Sequence, residues 1–575
     1  GHNIIGFDWP VLCSLLPLDI NFPLVDTLVV SRLLNFEIEG GHSLEAWGSR
    51  FQSPKHSFSD FSKYSPEMER YCIQDCKITH RLYEYFKDYI HSDQWKDALR
   101  LEHQMARICH EMSTQGFAFD VDTAQKLYKE IDETVTTLDK ELSTSFSPKS
   151  SYVRTITPKA TKHGTISRID FRWLDVPDLS PYSVGSSFSL FEFIPFNPGS
   201  PKQIVERLNE AGWKPFEKTK GHLQAERELR WCKDPARRRE LEDKLQEYAV
   251  YGWKVSEDNL KTLPKDAPPA AHKLAQRLLL ASRRSTLNEW INSYKPSTGR
   301  IHGRFLHIGA WTERMSHSAP NMANIPSGDT PYATEMRSLW TVPKDRLLVG
   351  VDADGIQLRI LAHYMNDPVF TEALINGDKT KGTDAHTLNQ LALGKDICKS
   401  RDDAKTFIYA WLLGAGTNKI ASILGCTHEE AREACDNFLE AYPGLQRLKQ
   451  HQIPLDANRG YFVGLDKRYV LCNNEHLMLA GYLQNGEAVA MKRANVLWRS
   501  KLQKENIPFW QVNFVHDEWQ TETIDDLSIA RYIAKVQADS LRIVGEDLNL
   551  NCPLAGSTIN SHKQETIGTN WYQTH

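Results

Sequence analysis

Two short segments hold acidic side chains where burial would make them costly. In Leu347–Asp354 an apolar run, Leu-Leu-Val-Gly-Val, ends directly in Asp352 and, one residue on, Asp354. Gly355 then opens an apolar-periodic stretch, residues 356–364. In Asn513–Gln520 a second apolar run meets His516, Asp517 and Glu518 and returns as another run. A tight hairpin there sets Asp517 at the turn. Carboxylates at strand ends beside a core suit a divalent metal, because Mg²⁺ takes one or two carboxylates plus waters and phosphate oxygens. Two such ions, roughly 4 Å apart, can clamp the attacking and leaving oxygens of phosphoryl transfer. The plain alternative is a capping aspartate and a solvated hairpin turn.

A third segment adds complementary charge. Residues 401–410, Arg-Asp-Asp-Ala-Lys-Thr-Phe-Ile-Tyr-Ala, read as a helix. Arg401, Lys405 and Tyr409 recur at i, i+4 and i+8, along one face. Two cations a turn apart can hold a polyphosphate, Arg as a fork and Lys as a point charge. The aromatic ring beyond them can meet a sugar or base. Upstream, Asp384-Ala385-His386-Thr387 offers a histidine that could donate to a phosphate. A solvated basic face and a structural histidine are the bland alternatives.

The rest of the chain must position these groups. Its 575 residues predict about four domains or subdomains. Charged residues make up 25% and hydrophobic ones 41%, so the composition is globular and not disordered. The net charge of −4 excludes a simple basic coating protein, yet allows one basic cleft on an acidic body. Ten cysteines lack CxxC spacing, which argues for reduced thiols in a cytosol. No apolar run reaches the roughly 18 residues of a membrane span, and no signal peptide is visible. The opening Gly-His-Asn, without Met, suggests a processed, engineered or incomplete N-terminus.

Periodicity predicts helices over 67–86, 101–145 with a break at Gly116, and 272–294. Ile4–Phe7 and Leu24–Val30 read as buried strand or helix, Lys202–Trp253 as charged helices, and Pro264–Pro269 as a break. Residues 147–200, rich in Pro, Ser, Lys and Arg, read as an insertion with strands at Ser167–Leu174 and Ser187–Ile194. Beyond residue 300, strands and helices alternate.

With the three chemical segments in this order, the chain resembles the family A (pol I-like) DNA polymerases, most nearly the replicative enzymes of T-seven-type bacteriophages. Val351–Arg359 resembles motif A, the Arg401–Lys405–Tyr409 helix ending Gly414-Ala415-Gly416 motif B, and Val515–Glu518 motif C. Arg314 with Pro320–Pro326, the Arg468 segment, Gln484 and Thr569-Asn570-Trp571 to His575 also match. The resemblance implies a multi-domain α+β (α/β) right hand: thumb and connecting helices over 96–300, palm over 301–370 and 456–575, and fingers over 371–455. By resemblance, Asp352 and Asp517 bind two Mg²⁺ ions. Arg401, Lys405, His386, Tyr409 and Gln357 hold the dNTP, with Lys405 aiding catalysis. Arg314, Asn321, Arg283, Arg284, Gln484 and His516 contact primer–template. Residues 1–95 resemble the C-terminal part of an RNase H-like 3′–5′ exonuclease domain, with Asp8 and Asp75 as metal ligands and Tyr71 orienting water. Its first motif, an Asp-x-Glu strand, precedes residue 1, so this chain is expected to lack efficient proofreading.

Several residues depart from the family pattern. Gln357 replaces a Glu that crowds the sugar 2′ position, so sugar discrimination is expected to be retained but weakened. Tyr409 occupies a position linked to acceptance of dideoxynucleotides. Leu413 stands where a Tyr stacks near the template base, Glu313 where Gly precedes Arg314, and Ala480 where Asn precedes Gln484 by four residues. The 147–200 insertion, with Lys149, Arg154, Lys159, Lys162, Arg168 and Arg172 against Asp170, sits where T-seven-type thumbs carry a processivity loop. That implies a basic flap over DNA or a thioredoxin-like partner. The resemblance implies a monomer in an infected bacterial cytoplasm, away from membranes. A single-subunit RNA polymerase of the same hand, and a non-catalytic scaffold on a dead polymerase, are the competing readings.

Overall fold

The computed structural model describes residues 1–16, 24–172, 174, 176–326, 328, 330–559 and 565–575. They form two compact units, Gly1–Ala124 with Glu289–His575, and Gln125–Asn288.

The centre of the first unit is the strand Arg346–Ala353, whose apolar run is buried along its length. It pairs antiparallel with Glu518–Ile524, which forms a hairpin with Trp510–Val515. Gly556–Ser557 and Ile567–Gly568 also pair with it, completing five strands. Gly350 allows the close approach of the C-terminus, since a Cβ there would collide with the Thr574 carbonyl and the Gln520 amide. The 30-residue helix Glu475–Lys504 is buried over most of its length and packs against Leu527–Asp547.

A second sheet orders Tyr294–Lys295, Arg300–Ile301, Phe117–Phe119 and Trp340–Thr341. The N-terminal helices close on a separate core of Val30, Leu33, Trp47, Leu82, Phe86 and Trp95. The helices Ala385–Leu393, Arg401–Leu412, Thr417–Leu424 and His428–Ala441 form a layer in which Phe407 and Trp411 pack on Phe438.

The second unit is built on Leu142, Phe196, Ile204, Val205, Leu208 and Trp213. Three helices, Pro201–Glu210, Lys220–Trp231 and Pro235–Tyr251, occupy the stretch expected to be charged and helical. Helices Pro66–Ile90, Lys96–Gln115, Val121–Ser145 and Pro269–Ser293 match the periodic stretches, with Gly116 ending one of them.

Two element expectations fail: Ile4–Phe7, read as buried strand or helix, is a turn with Phe7 exposed. Ser167–Leu174 is not a strand: Ser167 caps a single 3₁₀ turn, Arg168–Phe171, through the Ile169 amide at 3.3 Å. The apolar Phe171 there is buried against Tyr182 and Phe188, so its period reflects a local aromatic cluster. Residue 173 lies outside the described residues. The strand that pairs with Phe188–Ile194 is Lys149–Ile156, whose Ser, Arg and Thr content hid it.

Candidate active site

Register brings the two acidic segments together. Asp352 stands opposite Glu518, and the Ala353 amide donates to the Asp517 carbonyl at 2.9 Å. His516 takes a left-handed φ of 51°, which lets the hairpin turn within two residues and leaves Asp517 at its tip. Asp352 and Asp517 therefore end adjacent strands on one rim. Neither carboxylate has an ion-pair or side-chain hydrogen-bond partner among the described residues. Desolvation, then the charge of Asp517, pushes the Asp352 carboxyl well above its ordinary range. Desolvation and the nearby Glu487 push Asp517 up in the same direction. Two crowded carboxylates with no ion-pair partner among the described residues call for a cation. Among the described residues no third His, Cys, Asp or Glu joins a metal-binding group. A carboxylate pair open to waters and phosphate oxygens is the donor set that suits Mg²⁺.

Glu518 behaves differently. It is buried and accepts from Trp571 Nε1 at 2.6 Å, from His575 Nδ1 at 2.8 Å and from the Gln520 amide. Despite its burial, these partners hold its carboxyl below the usual range. The C-terminal Trp571–His575 segment thus neutralises the third acid.

The Arg401–Leu412 helix starts where Ser400 accepts from the Asp403 amide at 3.0 Å. Ala404, Phe407, Ile408 and Trp411 are buried, which leaves Arg401, Lys405 and Tyr409 on the more open face. Arg401 is not free: its Nε and Nη2 donate to Asp384 Oδ1 at 3.0 and 2.7 Å. Although partly desolvated, Asp384 is held down to about 2, mainly by Arg401. The His386 and Tyr409 rings lie 6.2 Å apart. Burial, then Arg401 and Lys405, lowers His386 to about 4, so it is neutral at pH 7. Its Nδ1 is buried without a partner among the described residues.

Near the acidic pair, Gln357 Nε2 donates to Glu487 Oε2 at 2.7 Å, and Arg314 Nη2 donates to the same oxygen at 2.5 Å. Glu487 was not expected from the sequence; a Glu in a long helix carries no signal of its burial. Gln484 accepts from Thr312 at 3.1 Å, and Asn321 accepts from the Ala323 amide at 2.9 Å.

Glu313 gains a physical account. It sits at φ 63°, a conformation that favours glycine, and is buried with its carboxylate on Arg468. Arg468 also donates to Asp466 at 2.7–3.0 Å and to Glu102 at 2.9 Å, and Lys492 donates to Glu102 at 2.8 Å. Nothing in the structure explains Ala480. Leu413 follows the end of its helix and is exposed.

Other expected residues are engaged elsewhere. In the second unit Arg283 donates to Glu257 at 3.1 Å and Arg284 to Asp132 at 2.6 Å, so neither guanidinium stands ready for a phosphate. Lys149 of the basic insertion is likewise paired, with Glu206 and Glu210. In the N-terminal segment Asp8 opens an exposed helix, Asp8–Leu15. Asp75 lies on helix Pro66–Ile90, and Lys55 Nζ sits 2.8 Å from its carboxylate and 2.8 Å from the Tyr71 hydroxyl. An ammonium therefore already neutralises that expected metal ligand.

The family model for DNA polymerase family A matches residues 187–572. The chain is 26% identical to the DNA-directed DNA polymerases of Enterobacteria phage T3 and of Escherichia phage T7, each alignment covering 100% of this chain and 92% of the relative. Among solved structures, the POL domain of Pol1 from M. smegmatis, in complex with DNA primer-template and dNTP, matches with a TM-score of 0.68 and 17% identity. That match covers 96% of this chain and 82% of the other.

Proposed function

The chain belongs to DNA polymerase family A, and we propose that the Asp352–Asp517 rim is the centre at which it adds deoxynucleotides to a primer. It is a DNA-directed DNA polymerase, a nucleotidyltransferase. The observation that carries the assignment of the centre is the pair of adjacent, crowded, unpaired carboxylates. They would hold two Mg²⁺ ions, which when bound activate a primer 3′-hydroxyl and neutralise charge on the α-phosphate.

The remaining residues position and neutralise. Lys405 and Arg401 face the triphosphate, although Arg401 is held by Asp384 and its Nη1 lies 3.6 Å from Asp402. Neutral His386 adds an N–H donor without adding charge. Tyr409 meets the sugar, and Gln357 crowds its 2′ position. Arg314, Gln484, Asn321 and His516 line the path of primer–template. Arg283 and Arg284 reach phosphates only by leaving their acids.

Efficient proofreading is not expected of this chain, a reading that Lys55 on Asp75 supports. The hairpin Lys149–Ile156/Phe188–Ile194 exposes Tyr152, Phe191 and Phe193, which supports docking of a thioredoxin-like processivity partner there. Among the described residues no helix is long and apolar enough to cross a membrane. We assign the enzyme, as a monomer, to replication in the cytoplasm of an infected bacterium.

The test is extension of a 5′-labelled primer with Mg²⁺ and four dNTPs, beside a reaction without dNTPs. Asp517→Asn should slow extension by about a thousandfold, the loss of several kcal/mol of transition-state stabilisation. Equal extension by the variant sinks the assignment of the centre. Primer shortening without dNTPs sinks the proofreading statement.

A further inference from the structure

We propose that Glu487 determines sugar selectivity by locking Gln357 in place. The inference rests on the preceding reading, in which Gln357 crowds the sugar 2′ position. A steric gate discriminates only if the gatepost cannot swing aside. Gln357 is the second residue of the helix Ile356–Met365, three residues past Asp354, and that helix packs on Glu475–Lys504. Glu487 projects from the middle of the latter and is 1% exposed. Its Oε2 accepts from Gln357 Nε2 at 2.7 Å and from Arg314 Nη2 at 2.5 Å.

Three consequences follow from that geometry. The Gln357 amide is anchored by a charge-assisted bond inside the protein, stronger than the bond a neutral acceptor would give. The amide is also fixed in orientation: only its nitrogen can face a carboxylate, so Gln357 Oε1 becomes the free end. That oxygen, Glu487 Oε1 and Arg314 Nε are all buried without a hydrogen-bond partner among the described residues. Such orphans are costly, and three of them sit together here beside the carboxylate pair. The charge absent from position 357 is supplied from position 487, with Arg314 holding it in place. Sugar selectivity is therefore retained at full strength, not weakened as the Gln for Glu replacement alone suggests. Glu487 touches Gln357 and Arg314, not the reacting atoms; it is a positioning residue.

The experiment is single-nucleotide incorporation of dATP and rATP opposite a template thymine, read as the rATP/dATP ratio of kcat/KM. General damage to the fold moves both terms and cancels in that ratio. Gln357→Ala and Glu487→Ala should each raise it about tenfold to a hundredfold, the worth of one charge-assisted hydrogen bond. Gln357→Glu alone sets two carboxylates face to face and should depress dATP incorporation. The double swap, Gln357→Glu with Glu487→Gln, restores a donor–acceptor pair and should return the ratio to within about threefold of the parent. A ratio unchanged in Glu487→Ala but raised in Gln357→Ala overturns the role of Glu487 and leaves the gate standing. A ratio unchanged in Gln357→Ala removes the gate itself and the inference with it. If Glu487→Ala does not fold, Glu487→Gln replaces it. A higher ratio in that variant than in the double swap supports the inference, and equal ratios overturn it.

Discussion

Replacing Glu313 by Gln should leave the protein no less stable at pH 6 and make it more stable at pH 8. The reason is a charge count in the buried network. Glu102, Glu313 and Asp466 share two cations, Arg468 and Lys492, while burial shifts His307, also bonded to Glu102, toward its neutral form. Lys492 and Arg468 hold Glu102 well below the ordinary range despite its burial. Glu313 is left in surplus, and desolvation outweighs its share of Arg468, so its carboxyl is raised. A carboxyl raised on folding holds a proton that the unfolded chain has released. Its penalty is absent below the unfolded value near 4.5 and accumulates as pH climbs toward the folded one. Each unit between 4.5 and the folded value of about 7 is worth about 1.4 kcal/mol, so the full penalty is on the order of 3–4 kcal/mol. Gln keeps the shape and still accepts from Arg468 and Asn485, as Glu313 does. It cannot ionise, so the variant avoids the penalty. The assay is the melting temperature of parent and variant at half-unit steps from pH 5.5 to 8. Asp352 and Asp517 titrate in both proteins, so the difference between the curves isolates Glu313. The gap should open with rising pH, by on the order of 1–2 °C per kcal/mol in a chain of this size. Parallel curves, or a variant melting lower throughout, would refute the count and show Glu313 to be an ionised, needed partner of Arg468.

Asp384→Asn retains the helix cap and removes the counter-charge that faces Arg401. Because the Asp384 carboxyl is depressed to about 2 in the fold, its contribution is full above about 4 and fades as pH falls toward 2. The variant should lose about 2 kcal/mol at pH 7 and converge on the parent as pH falls from about 4 toward 2; a constant offset at all pH values contradicts the pairing. Tyr409→Phe deletes one hydroxyl at the sugar and should cut the ddNTP/dNTP incorporation ratio by about tenfold to a hundredfold. Unchanged termination ladders would remove Tyr409 from that role.

The acidic centre was legible because its signal is local. An apolar run that stops at an aspartate, and a second run folded back through Asp517, each announce a strand end within a few residues. Register then needs only the sheet to bring them together. The Arg401 helix was legible for the same reason: its cations and its apolar face each obey one period. The strand Lys149–Ile156 was not, since exposure on both faces leaves it no alternation to read. Lys55 on Asp75 and Arg401 on Asp384 were not either, because pairing partners leave no mark in a window of sequence. The 366 residues between Arg468 and Glu102 make the point more strongly.

Two departures from the family pattern change the local charge: Gln357 lacks a carboxylate and Glu313 adds one. A charge cannot be removed from, or added to, a buried site without an answer nearby. Part of each answer lies on one helix, although the Glu313 carboxylate also meets Arg468 from outside it. Glu475–Lys504 offers Glu487 to Gln357 and Arg314, and it offers Asn485 and Lys492 to the network around Glu313. Its charges at 487 and 492 sit within a run of Ala, Val and Met, at positions the fold buries almost completely. A helix that is buried nearly all round has no solvated face on which to place a Glu or a Lys. Each of those two residues therefore had to be matched from outside the helix, by Arg314 and Gln357 for one and by Glu102 for the other.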